Sequence, residues 1–118
     1  MADVADVRAI AEPLPRSYEV VVRDRVKFRV GRIVWAALSR DEQDIGFAFP
    51  KDEREGAIAA EPDVFFHPRA SDLRYQWIEA HLQAVSRDRL SELLIEAWLM
   101  AVPKRIGADY LAGRMMRD

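Results

Sequence analysis

The sequence predicts an α+β fold in which an antiparallel sheet is covered on one face by helices. Around Gly31 and Arg32, apolar and basic side chains alternate, which indicates a β-hairpin because neighbouring side chains on a strand point to opposite faces. Residues 87–102 instead repeat apolar side chains at helical spacing behind Ser86, a typical helix N-cap. The same patterns along the whole chain give the order α-β-β-β-α-β-β-α. Its 118 residues correspond to a single compact domain, residues 1–118.

The first elements are a short helix and the hairpin. Asp3 or Asp6 can begin the helix, and Pro13 and Pro15 end it. The glycine suits the first central position of a type II′ turn, which joins a strand through residue 30 to a strand at 33–38. Closing the hairpin there gives the core-facing pairs Val30 with Ile33, Phe28 with Trp35, and Val26 with Ala37. The opposite face then carries Arg23, Arg25, Lys27 and Arg29, across from Val34, Ala36 and Leu38.

The later part of the chain alternates short strands with helices. The predicted segments are a strand at 45–49, a helix at 51–60, strands at 64–66 and 75–82, a helix at 87–102 and a short helix at 106–116. On the last strand, period-two alternation puts Ile78, Ala80 and Leu82 on one face and Trp77, Glu79 and His81 on the other. One core is expected to contain Phe28, Trp35, Phe47, Ile78, Leu82, Leu94 and Trp98.

Composition excludes several classes of protein. The chain has no cysteine, so it forms no disulfide and no thiolate metal site. No stretch approaches the roughly 18 apolar residues of a membrane-spanning helix. Acidic residues near the N-terminus replace the basic and apolar regions of a signal peptide. We therefore expect a cytoplasmic protein without a membrane partner.

The motifs of common catalytic and cofactor sites are also missing. His67 and His81 have no second ligand at metal-binding spacing, although Glu79 shares a strand face with His81. The sequence contains no nucleophile-elbow motif and no glycine-rich phosphate loop. The acidic residues of segment 41–63 lack the spacing of a calcium-binding loop. We therefore expect no enzyme activity, no cofactor and no metal site.

Charge is distributed unevenly, although the net charge is only −2. Residues 23–40 carry six basic side chains and one acidic one, whereas residues 41–63 carry two basic and eight acidic side chains. Cations that alternate along one strand face repel one another unless an anion lies near them. That anion can be the acidic segment of the same chain or the phosphates of a nucleic acid. Basic residues also protect exposed sheet edges from aggregation.

Four stretches of the chain together resemble the MmcQ/YjbR family. They are LPRSYEVVVRDRVKFRVGRIVWAALSRDE, GFAFPKDEREGAIAAEPDVFF, SDLRYQWIEAHL and AWLMAVPKR, and they follow one another over residues 14–106. The resemblance implies a bacterial protein with a compact α+β fold similar to the frataxin-like fold of CyaY. It supplies no catalytic residue.

The resemblance also implies a function, because members of this family are usually described as DNA-binding proteins that use hairpin wings. On this chain, contacts with double-stranded DNA would come from the five hairpin cations Arg23, Arg25, Lys27, Arg29 and Arg32, together with Lys104 and Arg105. Many relatives also carry basic residues on the outer face of the later strand, where this chain has Glu79 and His81.

Two other functions are consistent with the sequence. The first is a protein-interaction or homo-oligomerisation module, in which Ala36, Gly46 and Ala48 allow a partner to approach closely; the chain would then be a dimer rather than a monomer. The second is weak cation (iron) binding, which rests on analogy with the frataxin-like fold.

Overall fold

Six strands form one sheet in the computed structural model, which describes residues 1–117. The helices are α1 (Val4–Ala11), α2 (Lys51–Ala60), α3 (Arg87–Leu99) and α4 (Lys104–Arg117). The strands are β1 (Ser17–Val22), β2 (Arg25–Val30), β3 (Ile33–Leu38), β4 (Asp44–Ala48), β5 (Phe65–Phe66) and β6 (Trp77–His81). All neighbours are antiparallel, in the order β1-β2-β3-β4-β6-β5. The predicted α+β class and antiparallel sheet are confirmed, with one strand more than predicted.

The additional strand is β1, which pairs with β2 ahead of the predicted hairpin. The two strands are joined by Arg23 and Asp24, whose φ angles are both positive, at 53° and 66°. A two-residue loop with two positive φ angles is a type I′ turn, which usually has the sequence Asn-Gly or Asp-Gly. This turn contains no glycine, and the prediction of one continuous strand through it was wrong. Arg23 therefore lies in a turn rather than on a strand face.

The turn between β2 and β3 is the predicted one. Gly31 has a φ of 59°, and Arg32 does not share this positive φ, as a type II′ turn requires. Val30 pairs with Ile33 directly beside the turn, as predicted.

The register beyond this pair differs from the prediction because β3 contains a β-bulge. Trp35 is the extra residue, so Phe28 pairs with Ala36 and Lys27 pairs with Ala37. The predicted pairs Phe28 with Trp35 and Val26 with Ala37 were wrong. The residues predicted for the opposite face were partly wrong too, because Ala36 and Leu38 belong to the buried core cluster. Phe28 and Trp35 nevertheless share that core, with ring centroids 6.0 Å apart.

The core lies between the sheet and the helices. Helix α3 packs against β3 and β4, and α1 packs against α3. All seven residues predicted for the core belong to one cluster and are at most 1% exposed: Phe28, Trp35, Phe47, Ile78, Leu82, Leu94 and Trp98. The sheet face against these helices is the core face, and the opposite face is the outer face.

Both predicted helix starts are confirmed. The Asp3 carboxylate accepts a hydrogen bond from the backbone N–H of Asp6, and the Asp6 carboxylate accepts one from the backbone N–H of Asp3, forming a capping box at α1. At α3, Ser86 Oγ accepts a hydrogen bond from the N–H of Arg89 at 3.2 Å. The other bounds shift slightly, since α3 ends before residue 102 and α4 begins before residue 106.

Candidate nucleic-acid interface

Three of the five hairpin cations lie side by side on the outer face. Arg25, Lys27 and Arg29 alternate along β2 with three buried residues of the core, so their side chains share the opposite face. Arg32 lies at the exposed tip of the β2–β3 hairpin, and Arg23 lies in the exposed β1–β2 turn. The five cations therefore span the full length of β2.

Lys104 and Arg105 form a separate basic position. Both are exposed in the first turn of α4, outside the sheet. Because a helix N-terminus carries a partial positive charge, two cations there gain nothing from the helix dipole. The structure thus divides the predicted interface into a hairpin part and a helix part.

The acidic segment 41–63 does not pair with the hairpin cations. Among the described residues, its carboxylates form ion pairs elsewhere: Asp44 with His81, Glu55 with His67, and Glu61 with Arg89. Helix α2, which carries much of this segment, packs against β5 and β6, at the opposite edge of the sheet from β1 and β2. No ion pair within residues 1–117 uses any of the five hairpin cations. Their charge is available to an external anion.

A groove of about 1150 Å³ lies on the outer face beside these cations. Its floor contains small residues of the central strands, including Ala37 and Ala48, where longer side chains would fill the space. The cations on one side are Arg25, Lys27 and Arg32; the other side is formed by Trp77, Glu79 and the loop that carries Arg69, Asp72 and Tyr75. The groove therefore combines aromatic surface, cations and the two carboxylates of Asp72 and Glu79.

Gly46 determines where the carboxylate of Glu79 lies. Gly46 pairs with Glu79 across β4 and β6, and a Cβ atom at Gly46 would collide with Glu79 Oε2 and Trp77 Nε1. Because Gly46 has no Cβ atom, the side chains of Trp77 and Glu79 can lie over β4. Trp77 Nε1 donates a hydrogen bond to Glu79 Oε2 at 2.7 Å. Desolvation raises the pKa of Glu79, although this hydrogen bond and the charge of Arg25 partly oppose the rise.

On the opposite side of the groove, the pKa of a lysine is shifted. Desolvation lowers the pKa of Lys27, and repulsion from Arg25, Arg29, Arg23 and Arg69 lowers it further. Since Lys27 forms no ion pair with a described carboxylate, an anion placed beside it would relieve this repulsion. Perturbed titratable groups in a cleft are typical of functional sites.

A buried arginine holds the loop that forms one wall of the groove. Arg54 of α2 is only 6% exposed. Its Nη1 donates to the carbonyl oxygens of Tyr75 and Trp77 at 3.1 and 3.0 Å, and its Nη2 donates to that of Leu73 at 2.7 Å. One side chain thus fixes three backbone carbonyls between the loop and β6.

Neither histidine belongs to a metal cluster in the part of the chain that the structure describes. His81 Nδ1 lies 2.7 Å from Asp44 Oδ1, and its ring stacks on Phe66, so it does not pair with Glu79. None of the helices within residues 1–117 has the length and apolar character needed to cross a bilayer.

Sequence reasoning identified the cations but not the groove. The small residues on its floor come from β3 and β4, and only the sheet order brings them beside Trp77 and Glu79 of β6. The prediction that Ala36 lies on this surface was wrong, because the bulge turns it to the core and leaves Ala37 in its place. The alternation of small and large residues in β4 was the one available signal.

Comparison with known proteins identifies a family and a fold. A YjbR family model matches residues 13–100 of the chain. Among solved structures, the chain is similar to the crystal structure of Deinococcus radiodurans protein DR2400, which has a DUF419 domain. The TM-score is 0.74 at 22% sequence identity, over 85% of this chain and 78% of that one. At this identity the likeness concerns the fold alone. No curated protein matches the chain.

Proposed function

The chain belongs to the YjbR family, and on this premise we propose that it is a non-catalytic protein that binds double-stranded DNA through the five hairpin cations. The observation that carries the proposal is that these cations have no ion-pair partner among the described residues, while the ion pairs of the acidic segment 41–63 lie elsewhere. The description usually given to members of this family agrees with it.

The physical basis is the release of counterions from the phosphate backbone. Each cation that neutralises a phosphate releases condensed counterions, which adds affinity that does not depend on base sequence. The net charge of −2 does not oppose this, because the field near the hairpin is set by the local cations rather than by the distant acids. Lys104 and Arg105 would add contacts only with DNA that also reaches α4.

The salt dependence of binding tests the proposal. With about five phosphate contacts, the logarithm of the association constant for random duplex DNA should fall against the logarithm of salt concentration with a slope near −4.5. The double variant Lys27→Ala/Arg29→Ala should flatten the slope by about 1.8, because two contacts are lost. Absence of duplex binding even at ~50 mM salt would overturn the proposal.

A matched control removes the same charge from another surface. Arg87 of α3 and Arg114 of α4 are both exposed and lie on helices rather than on the outer face. Arg87→Ala/Arg114→Ala should leave the slope unchanged, since the net charge changes equally but no proposed contact is lost. An equal effect of the two double variants would mean that net charge, and not the hairpin, drives binding.

A protein partner or a second copy on the outer face is the second candidate. The small residues on the groove floor favour it, because they allow close approach to the strands. Ala48→Trp would then disrupt the complex, as measured by sedimentation, and the unmodified protein would show no DNA affinity at low salt. A substitution at Ala36 does not test this candidate, because Ala36 is buried in the core.

A further inference from the structure

We infer that the outer-face groove holds one unpaired nucleobase, and that it selects a base with an exocyclic amino group over thymine. The inference rests on the nucleic-acid binding proposed above and narrows it to the form of the strand and the class of base. The hairpin cations can contact phosphates of any DNA, whereas the groove accepts only a base that is free of its complementary strand.

The shape of the groove fits a flat ligand. Its floor contains Ala37 and Ala48, so a planar ring can approach the strands at these positions without displacing a long side chain. Tyr75 is 50% exposed at the rim, and Trp77 is half-buried along the wall. Exposed aromatic side chains beside a cationic track are typical of proteins that bind single strands, because every base has a face that can stack.

The charges around the groove fit the phosphate attached to such a base. Arg25, Lys27 and Arg32 lie along one side, and Arg69 lies in the loop opposite. Arg69 pairs with Asp72 only at 3.4 Å and is largely exposed, which leaves its guanidinium accessible to a phosphate. The phosphate of a bound nucleotide would therefore meet a cation on either side of the groove.

The carboxylate supplies the selectivity. Glu79 Oε2 accepts the hydrogen bond of Trp77, and none of the side chains described in residues 1–114 donates a hydrogen bond to Glu79 Oε1. An ionised carboxylate is only an acceptor, so this oxygen favours the N4 amino group of cytosine and is repelled by O4 of thymine. The hydrogen bond from Trp77 orients the carboxylate, and the absence of a side chain at Gly46 leaves it room to lie over the strand.

Oligo-dC and oligo-dT of equal length test the inference, since they differ little in shape and not in charge. At neutral pH, fluorescence anisotropy should give an affinity for oligo-dC that is higher by about fivefold or more. Both single strands should bind more tightly than a duplex of the same length. Glu79→Gln should abolish or reverse the preference for oligo-dC, because the amide oxygen accepts the hydrogen bond of Trp77 and the NH2 group is left to donate to O4 of thymine.

Two controls separate this inference from the proposed function. Glu96→Gln on the exposed face of α3 makes the same charge change and should keep the preference. Lys27→Ala/Arg29→Ala should lower the affinity for both oligo-dC and oligo-dT and leave the ratio of the two affinities unchanged. Equal binding of oligo-dC and oligo-dT by the unmodified protein, or tighter binding of duplex, would overturn the inference and leave phosphate binding intact. Failure to bind any of the three DNAs at ~50 mM salt would overturn both.

Discussion

On the outer face, the missing side chain of Gly46 determines where Trp77 and Glu79 lie. Gly46 has no Cβ, and the tips of Trp77 and Glu79 occupy the space that a side chain would fill. The same contact desolvates Glu79 and gives its carboxylate a hydrogen-bond donor. A carboxylate held in this way costs stability when it ionises, which makes its titration visible in the stability of the fold.

Glu79→Gln should change how stability depends on pH. The pKa of Glu79 is raised in the folded protein, so the folded state binds more protons than the unfolded state between the ordinary and the raised pKa. Ionisation of Glu79 therefore lowers the unfolding free energy as pH rises through this window. The glutamine variant lacks this loss, and its stability relative to the unmodified protein should rise with pH there and be constant below it.

Denaturant unfolding between acidic and neutral pH measures this difference. Glu96→Gln is the matched control, because Glu96 is exposed on α3. A relative stability of the Glu79 variant that falls as pH rises would show that the folded state favours the ionised form.

Arg54→Met should destabilise the protein by about 2–4 kcal/mol, because it leaves buried carbonyl groups without a donor. The carbonyl oxygens concerned are those of Leu73, Tyr75 and Trp77. Lys51→Met is the control, since Lys51 lies on the same helix but is exposed. Denaturant titration compares the two variants. If they lost equal stability, the hydrogen bonds of the guanidinium would not hold the loop.

At the level of elements, local signals predicted what local interactions determine. The caps at Asp3 and Ser86 depend on residues within one turn of helix, and both were predictable. The type I′ turn at Arg23 and Asp24 was not, because its two positive φ angles are imposed by the pairing of β1 with β2 and not by a glycine. The bulge at Trp35 was hidden for a related reason, since alternation continues through it in the sequence.

The candidate site divides in the same way. The row of cations on β2 follows from period-two alternation within one strand and was predicted. The groove depends on the order of β3, β4 and β6 in the sheet, which no local pattern encodes. The position of the groove beside the cations therefore could not be predicted from the sequence and became visible only in the structure.

Ser86→Ala tests the start of the longest core helix. Ser86 Oγ accepts the hydrogen bond of the Arg89 N–H, so its removal leaves a donor of the first turn without a partner. The loss should be about 0.5–2 kcal/mol in denaturant unfolding. Ser91→Ala makes the same change inside α3 and should stay within roughly 0.5 kcal/mol of the unmodified protein. Equal stability of the Ser86 variant and the unmodified protein would contradict the cap.

At the scale of the whole molecule, the core extends beyond the region that matches the family model. The match begins at residue 13, yet Val7 and Ala11 of α1 are fully buried. Arg8 of α1 reaches Glu19 of β1 at 3.0 Å, and Trp98 Nε1 donates to the carbonyl oxygen of Pro15 at 2.9 Å. Helix α1 is thus integrated with the sheet and with α3, while the outer face lies on the other side.

Val7→Asp should therefore destabilise the entire protein and not only its first helix. The substitution places a carboxylate in an apolar site with no partner, which should cost about 3 kcal/mol or more. Ala9→Asp introduces the same charge on the exposed side of α1 and should change stability by roughly 0.5 kcal/mol or less. Unfolding followed by tryptophan fluorescence reports on the core through Trp35 and Trp98. If the two variants were equally stable, α1 would be an appendage, and the core would close without it.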